Sequence, residues 1–201
     1  METKGEKLNF SERVYKVALV SSSERFNDAM LPLLPKNRFD PISVYRDAQS
    51  ARREIFEIKP DIVIIDTPLS DDFGAELSVE VSKTDDVCVL LFTRVERFKE
   101  ISSRLTPYGI LTLSKPTSPQ LIEKVIELMC ATRERLRKIE IKKSYVEERM
   151  EDIRIVDKAK CFLIEQLKMT EQEAHRYIEK QAMDRCVTKR VIAENILSTY
   201  K

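Results

Sequence analysis

From residue 120 to residue 201 the chain contains neither glycine nor proline. Those residues are the usual punctuation of turns and helix ends. A stretch this long without them predicts helix almost throughout, so this part of the chain folds as all-α. Within it Met129, Thr132, Leu136, Ile139, Lys143, Val146, Met150 and Ile153 fall at alternating spacings of three and four. That is the a/d pattern of a coiled coil, and it predicts a dimer seam through Met129, Leu136, Ile139, Val146, Met150 and Ile153. Lys143, polar in this stripe, would fix register or oligomer state at some cost in stability. The alternative is a single amphipathic helix folded back on its own N-terminal domain.

Beyond residue 153 the apolar stripe changes face, to Ile155, Ala159, Phe162, Leu163 and Leu167, while Asp157 and Lys160 occupy the old seam. A second helical piece begins at Thr170. The run Thr170-Glu171-Gln172-Glu173 has the form of a capping box, followed by Ala174, Tyr177, Ile178 and Ala182 at helical spacing. Thr188 can cap a third piece bearing Val191, Ile192, Ile196 and Leu197. Each piece is short, so each needs the other two to bury its stripe. The string AKCFLIEQLKMTEQEAHRYIEKQAMDRCVTKRVIAENIL resembles an ANTAR domain, the antiterminator module of bacterial regulators. The matching points are Ala159-Lys160, Thr170 with Glu173-Ala174, Arg176, Ala182-Met183, and Val191 with Ala193. The resemblance implies a three-helix unit that binds hairpin loops in nascent RNA and prevents terminator formation.

The candidate RNA contacts are Lys160, Ala174, Arg176, Tyr177, Lys180, Ala182, Met183, Lys189 and Arg190. Tyrosine and arginine planes stack on unpaired bases, and lysines meet phosphate. Ala174 and Ala182 would let bases approach the backbone if exposed; otherwise they serve, with Ala193, in tight helix packing. The formal net charge is +1, so a basic patch must come from folding and not from composition.

Upstream, strand and helix patterns alternate. Strands are expected at 15–20, 42–45, 61–66, 87–92 and 110–113. Helices are expected at 24–34, where Pro32 kinks or ends the helix, and at 47–58, 75–82 and 95–105, with Pro119 opening the long one. DIVIID and VCVLLF are near-continuous apolar runs of the kind buried on both faces. The pattern predicts an α/β domain, a flavodoxin-like doubly wound five-stranded parallel sheet of order 2-1-3-4-5. Ligands and reactive groups then sit beyond the carboxyl ends of the strands.

Asp66, Thr93 and Lys115 stand at those ends, in IVIIDTPLS, LLFTR and LSKP. The set resembles a response-regulator receiver domain over about residues 15 to 130. In receivers the aspartate accepts a phosphoryl group, here Asp66, with Thr93 contacting it and Lys115 pairing with it; the phosphodonor would be a sensor histidine kinase. This chain departs from that pattern. Ser21 and Ser22 stand where receivers carry the acidic pair that holds Mg²⁺, and Thr112 lies near the usual place of an aromatic residue. Magnesium wants hard, charged oxygen ligands, which makes it a doubtful cofactor unless Asp71 and Asp72 compensate. Two readings stand: Asp66 is a phosphorylated switch, or Asp66 and Lys115 are a retained ion pair in a degenerate receiver. The missing acidic pair favours the second.

The organisation expected is a flexible tail (1–13), a receiver-like domain (14–120), a coiled-coil linker (121–154) and a three-helix unit (155–201). The N-terminus has no signal-peptide core and no apolar run is membrane-length, so a cytoplasmic protein is expected. The four cysteines form no CxxC pair, so no metal site is expected, and no catalytic constellation appears. The functional reading is an RNA-binding antiterminator, dimeric through the coiled coil, with no DNA or membrane partner. The alternative is a protein-binding two-component adaptor whose receiver-like face docks on another regulator.

Overall fold

The computed structural model describes residues 13–70, 74–84 and 87–199. All but the last residue of the expected tail, and both Asp71 and Asp72, lie outside these. The chain divides between Arg137 and Lys138 into two compact units.

The first unit is a parallel sheet of order β2-β1-β3-β4-β5, as expected. Its strands are β1 (Tyr15–Val20), β2 (Phe39–Tyr45), β3 (Ile62–Asp66), β4 (Cys88–Arg94) and β5 (Leu111–Lys115). Between them run α1 (Glu24–Met30), α2 (Ala48–Ile58), α3 (Ala75–Ser82) and α4 (Val95–Leu105). Pro32 ends α1 as expected: the helix stops at Met30 and a short 3-10 turn, Leu31–Leu33, carries the proline. Asp47 caps α2 by accepting from the Ser50 amide at 2.7 Å. Gly74 opens α3 at φ +73, where an added Cβ would meet Ile65 and Thr67 at 2.9 Å. Only glycine can bring the chain that close behind β3.

The sheet is buried on both faces because its apolar runs feed two cores. Side chains alternate along a strand. Ala18, Val20, Val63, Ile65, Val89 and Leu91 point to one face, with Ala51 and Ile55 of α2, Leu77 and Val81 of α3, and Ile101 and Leu105 of α4. Val17, Leu19, Ile62, Ile64, Leu90 and Phe92 point to the other, against Met30 of α1 and the long helix α5 (Pro119–Leu167).

That second core corrects one expectation. Met129, placed in a dimer seam from sequence, is 0% exposed and packs with Ile122, Ile126 and Cys130 against the sheet. Leu136 is half-buried against the same core. The start of α5 therefore follows the alternative reading, a helix folded on its own domain. A three-four stripe specifies a buried face, not whose surface buries it. The unit accordingly extends past the expected boundary at 120, through Arg137.

Sequence reasoning also missed what fixes this helix. Asp61, at the foot of β3, accepts from Arg133 of α5 at 3.1 Å, from Arg13 at 3.0 Å and from the Lys16 amide at 3.0 Å. Arg13 also reaches Glu134 at 2.8 Å, and Tyr15 donates to Glu134 at 3.3 Å. Arg133 stands next to Thr132 of the three-four stripe, where a charged residue reads as solvent-facing. The signal was its spacing: it follows Ile126, Met129 and Cys130 on the buried face, and a buried arginine requires a buried acid.

The second unit contains the end of α5, then α6 (Glu171–Asp184) and α7 (Lys189–Thr199). Its core is Ala159 and Leu163 of α5, Ala174, Ile178 and Ala182 of α6, and Ile192 and Ala193 of α7. The predicted capping box is present. Thr170 Oγ1 accepts from the Glu173 amide at 3.3 Å, and Glu173 Oε2 accepts from the Thr170 amide at 2.8 Å. Thr188 Oγ1 accepts from the Val191 amide at 3.4 Å. With no glycine in this stretch, the turns after α5 and α6 use left-handed Lys168 (φ 55) and Cys186 (φ 53).

Candidate functional site

Two regions hold the sequence-predicted residues. In the first unit, Asp66 closes β3 and is 4% exposed. Lys115, at the end of β5, donates to Asp66 Oδ1 and to the Thr67 carbonyl oxygen. The Ser21 hydroxyl donates to Asp66 Oδ2 at 3.2 Å and accepts from the Ser23 amide at 3.1 Å. Burial pushes the Asp66 carboxyl above its usual range, against the opposing pull of Lys115 and Ser21. Thr93 is buried one strand away, paired in register with Ser114. Its side chain faces a separate small recess with Thr67, Pro68 and Arg97. The topology thus brings Asp66 and Lys115 together and adds Ser21, while Thr93 lines a neighbouring hollow.

The described residues here do not fit a magnesium ion. Both oxygens of the one carboxylate are engaged, one by an ammonium and one by a hydroxyl. Ser22, the second replacement, is exposed and carries no charge. Among the described residues, a divalent cation would have to displace Lys115 from Asp66 and would gain only neutral ligands besides that carboxylate.

In the second unit the structure sorts the candidate RNA contacts into three groups. Ala174 and Ala182 are 0% and 7% exposed, which corrects their placement as base contacts. They belong to the helix-packing alternative, because small side chains let α5, α6 and α7 approach closely. Lys160, Lys189 and Arg190 are half-buried and engaged in ion pairs. Lys160 meets Asp157 at 2.7 Å, Lys189 meets Glu179 at 2.7 Å, and Arg190 meets Asp152 at 2.9 Å and Glu194 at 2.8 Å. Arg176, Tyr177, Lys180 and Met183 line open surface: Tyr177 is 41% and Met183 73% exposed.

Arg176, Tyr177 and Lys180 line a recess of about 510 Å³ with Leu167, Lys168 and Glu173. Three cations face it against one carboxylate, and that carboxylate is already held by the capping box. Tyr177 also borders a second hollow between α6 and α7 with Arg185 and Asn195. Sequence reasoning did not single out Lys168 as a site residue. Its place in the turn two residues before the capping threonine was the available signal.

On α5, Ile139, Val146, Met150 and Ile153 of the predicted seam are 54%, 54%, 51% and 61% exposed, and Lys143 is exposed among them. No helix among the described residues is long and apolar enough to cross a membrane.

Comparison with known proteins bears on the family and fold of the two units. Residues 145–197 match the family described as ANTAR domain. The chain is 27% identical over 169 residues to the transcriptional regulatory protein PdtaR of Mycobacterium tuberculosis (strain H37Rv), covering 83% of this chain and 82% of that one. Among solved structures, the first unit is similar to the signal receiver domain of an HD domain-containing protein from Pseudomonas fluorescens Pf-5. That likeness has a TM-score of 0.56 at 22% identity, over 63% of this chain and 93% of that one. A response regulator receiver domain protein from Clostridium thermocellum gives 0.55 at 17% identity, over 61% and 99%. At such identities the likeness establishes the fold of the unit. The chain thus matches the ANTAR domain over residues 145–197, after a first unit whose fold is receiver-like and which holds an aspartate–lysine pair at its strand ends.

Proposed function

We propose that the protein is a cytoplasmic transcription antitermination regulator that binds hairpin-loop RNA and acts as a homodimer. The ANTAR match over 145–197 carries the RNA reading. The recess of Lys168, Arg176, Tyr177 and Lys180 gives it chemistry: an aromatic platform for an unstacked base, flanked by cations for phosphate. The pairing reading is supported by the exposed stripe from Ile139 to Ile153, which leaves apolar surface in water at the spacing of a helix seam. One weak loop-binding unit per copy gains by effective concentration when two copies are joined.

Gel shifts with a two-hairpin leader RNA against a single hairpin test this directly. The two-hairpin RNA is expected to bind tighter by about 10²-fold or more. Equal affinities would remove the paired mechanism. Absence of binding to either RNA at low salt would favour the adaptor reading, in which the receiver-like face docks on another regulator.

For the first unit we read Asp66 and Lys115 as a retained ion pair and not as a magnesium-dependent phosphoacceptor site. Incubation with acetyl phosphate, or with a sensor kinase, should leave Asp66 unlabelled whether or not Mg²⁺ is present. Stable Mg²⁺-dependent labelling that disappears in Asp66→Asn would overturn this and restore the phosphorylated switch.

A further inference from the structure

The apolar hollow beside the Asp66–Lys115 pair has no part in the reading above. It measures about 550 Å³ and lies between α1, the carboxyl ends of β3, β4 and β5, and the first turn of α5. Small-molecule sites run from roughly 300 to 1,000 Å³ and are lined mainly by apolar groups with a few placed polar ones. Here the apolar walls are Phe26, Met30, Leu33, Phe92 and Ile122. Phe26 stands edge-on to Phe92 at 5.0 Å between ring centroids, giving a firm floor. The polar lining is charged and unbalanced: Arg25 and Lys115 against Asp66. Lys115 is occupied by Asp66, but Arg25 is exposed and makes no ion pair among the described residues. The position is also the one where a doubly wound sheet takes ligands, since strand order reverses between β1 and β3.

We propose that this hollow is a binding site for a small amphipathic carboxylate, its tail on the Phe26–Met30–Ile122 walls and its head on Arg25. The planar guanidinium fork matches a carboxylate in two parallel hydrogen bonds. The inference is independent of the antitermination reading. It gives the receiver-like unit a chemical input beside the Asp66–Lys115 ion pair.

The full chain, with methionine and isoleucine methyl groups labelled for NMR, is titrated with sodium decanoate below its micellar concentration. A parallel titration uses decyltrimethylammonium, which has the same tail and the opposite charge. Decanoate is expected to shift Met30 and Ile122 saturably and to leave Met150 and Ile153 on α5 unmoved. The cationic amphiphile should bind weaker by about tenfold or more, a difference of about 1.4 kcal/mol. Arg25→Glu should weaken decanoate by a similar factor, and Ala29→Trp, which fills the hollow from α1, should abolish the shifts. Arg25 is exposed and forms no ion pair among the described residues, so its variant keeps the fold even if the tryptophan variant does not. Equal response to both amphiphiles, an unaltered affinity in Arg25→Glu, shifts confined to α5, or no saturable shift at Met30 and Ile122 would each overturn the proposal. In the last case a partner protein remains as the occupant of that face.

Discussion

Replacing Arg176 and Lys180 together with glutamate is expected to lower affinity for a two-hairpin RNA by about 100-fold or more, while Lys189→Ala changes it less than about threefold. The contrast comes from whether each charge already has a partner. Arg176 and Lys180 line an open recess and form no ion pair among the described residues, so both can meet phosphate. A hydrogen bond to a charged group contributes about 1.5–3 kcal/mol, so losing two, and adding repulsion, exceeds the roughly 2.7 kcal/mol of a hundredfold change. Lys189 holds Glu179 at 2.7 Å, and that carboxylate is kept below its usual range chiefly by this lysine. Taking the lysine away from RNA therefore removes little. Binding isotherms at several salt concentrations check the cause as well as the size. Each phosphate neutralised on a single strand adds about 0.7 to the slope of log K against log salt. With two fewer phosphates neutralised, the slope of the double variant should be shallower by about 1.4. A wild-type slope retained in that variant would place the RNA elsewhere, and a large loss of affinity in Lys189→Ala would reverse the assignment.

Asp61→Ala is expected to destabilise the first unit by about 3–5 kcal/mol, the usual cost of removing one partner of a buried charge pair. Asp61 is the shared acceptor for Arg13, Arg133 and the Lys16 amide, and the side chain of Arg133 is only 9% exposed. Without the carboxylate, the buried Arg133 guanidinium loses the Asp61 oxygen it donates to at 3.1 Å. Urea unfolding followed by a signal from the first unit measures the loss. The pair Asp61→Leu with Arg133→Leu should recover part of it, because the buried guanidinium leaves with its acid and Arg13 keeps Glu134, although the Lys16 amide still loses its acceptor. A loss below about 1 kcal/mol in Asp61→Ala, the range of an exposed ion pair, would show that water reaches Arg133 and that the network does not fasten α5 to the sheet.

Much of this molecule was legible one residue at a time. The runs DIVIID and VCVLLF became strands buried on both faces, and the alternation of elements became the expected sheet order. Pro32, Asp47 and Thr170 act within a turn of their own position, so their roles as terminator and caps needed no tertiary knowledge. Asp66 and Lys115 could be paired in advance from the resemblance to receivers, with the sheet order placing both at the carboxyl ends of strands.

What resisted was every question of which surface a side chain meets. Met129 and Ile153 share one stripe in the sequence, yet the first is enclosed by its own sheet and the second lies open. Ala174 could have faced a base or a helix; α5 and α7 fill the space. Lys160, Lys189 and Arg190 read as free cations until acids were found beside them, one turn along the helix for Lys160 and on other helices for Lys189 and, in part, Arg190. Local pattern determines secondary structure and, through handedness, topology, because those depend on neighbours along the chain. The identity of a buried partner, and whether a charge is neutralised or available, depends on groups far apart in sequence. Only the packed structure brings those groups together.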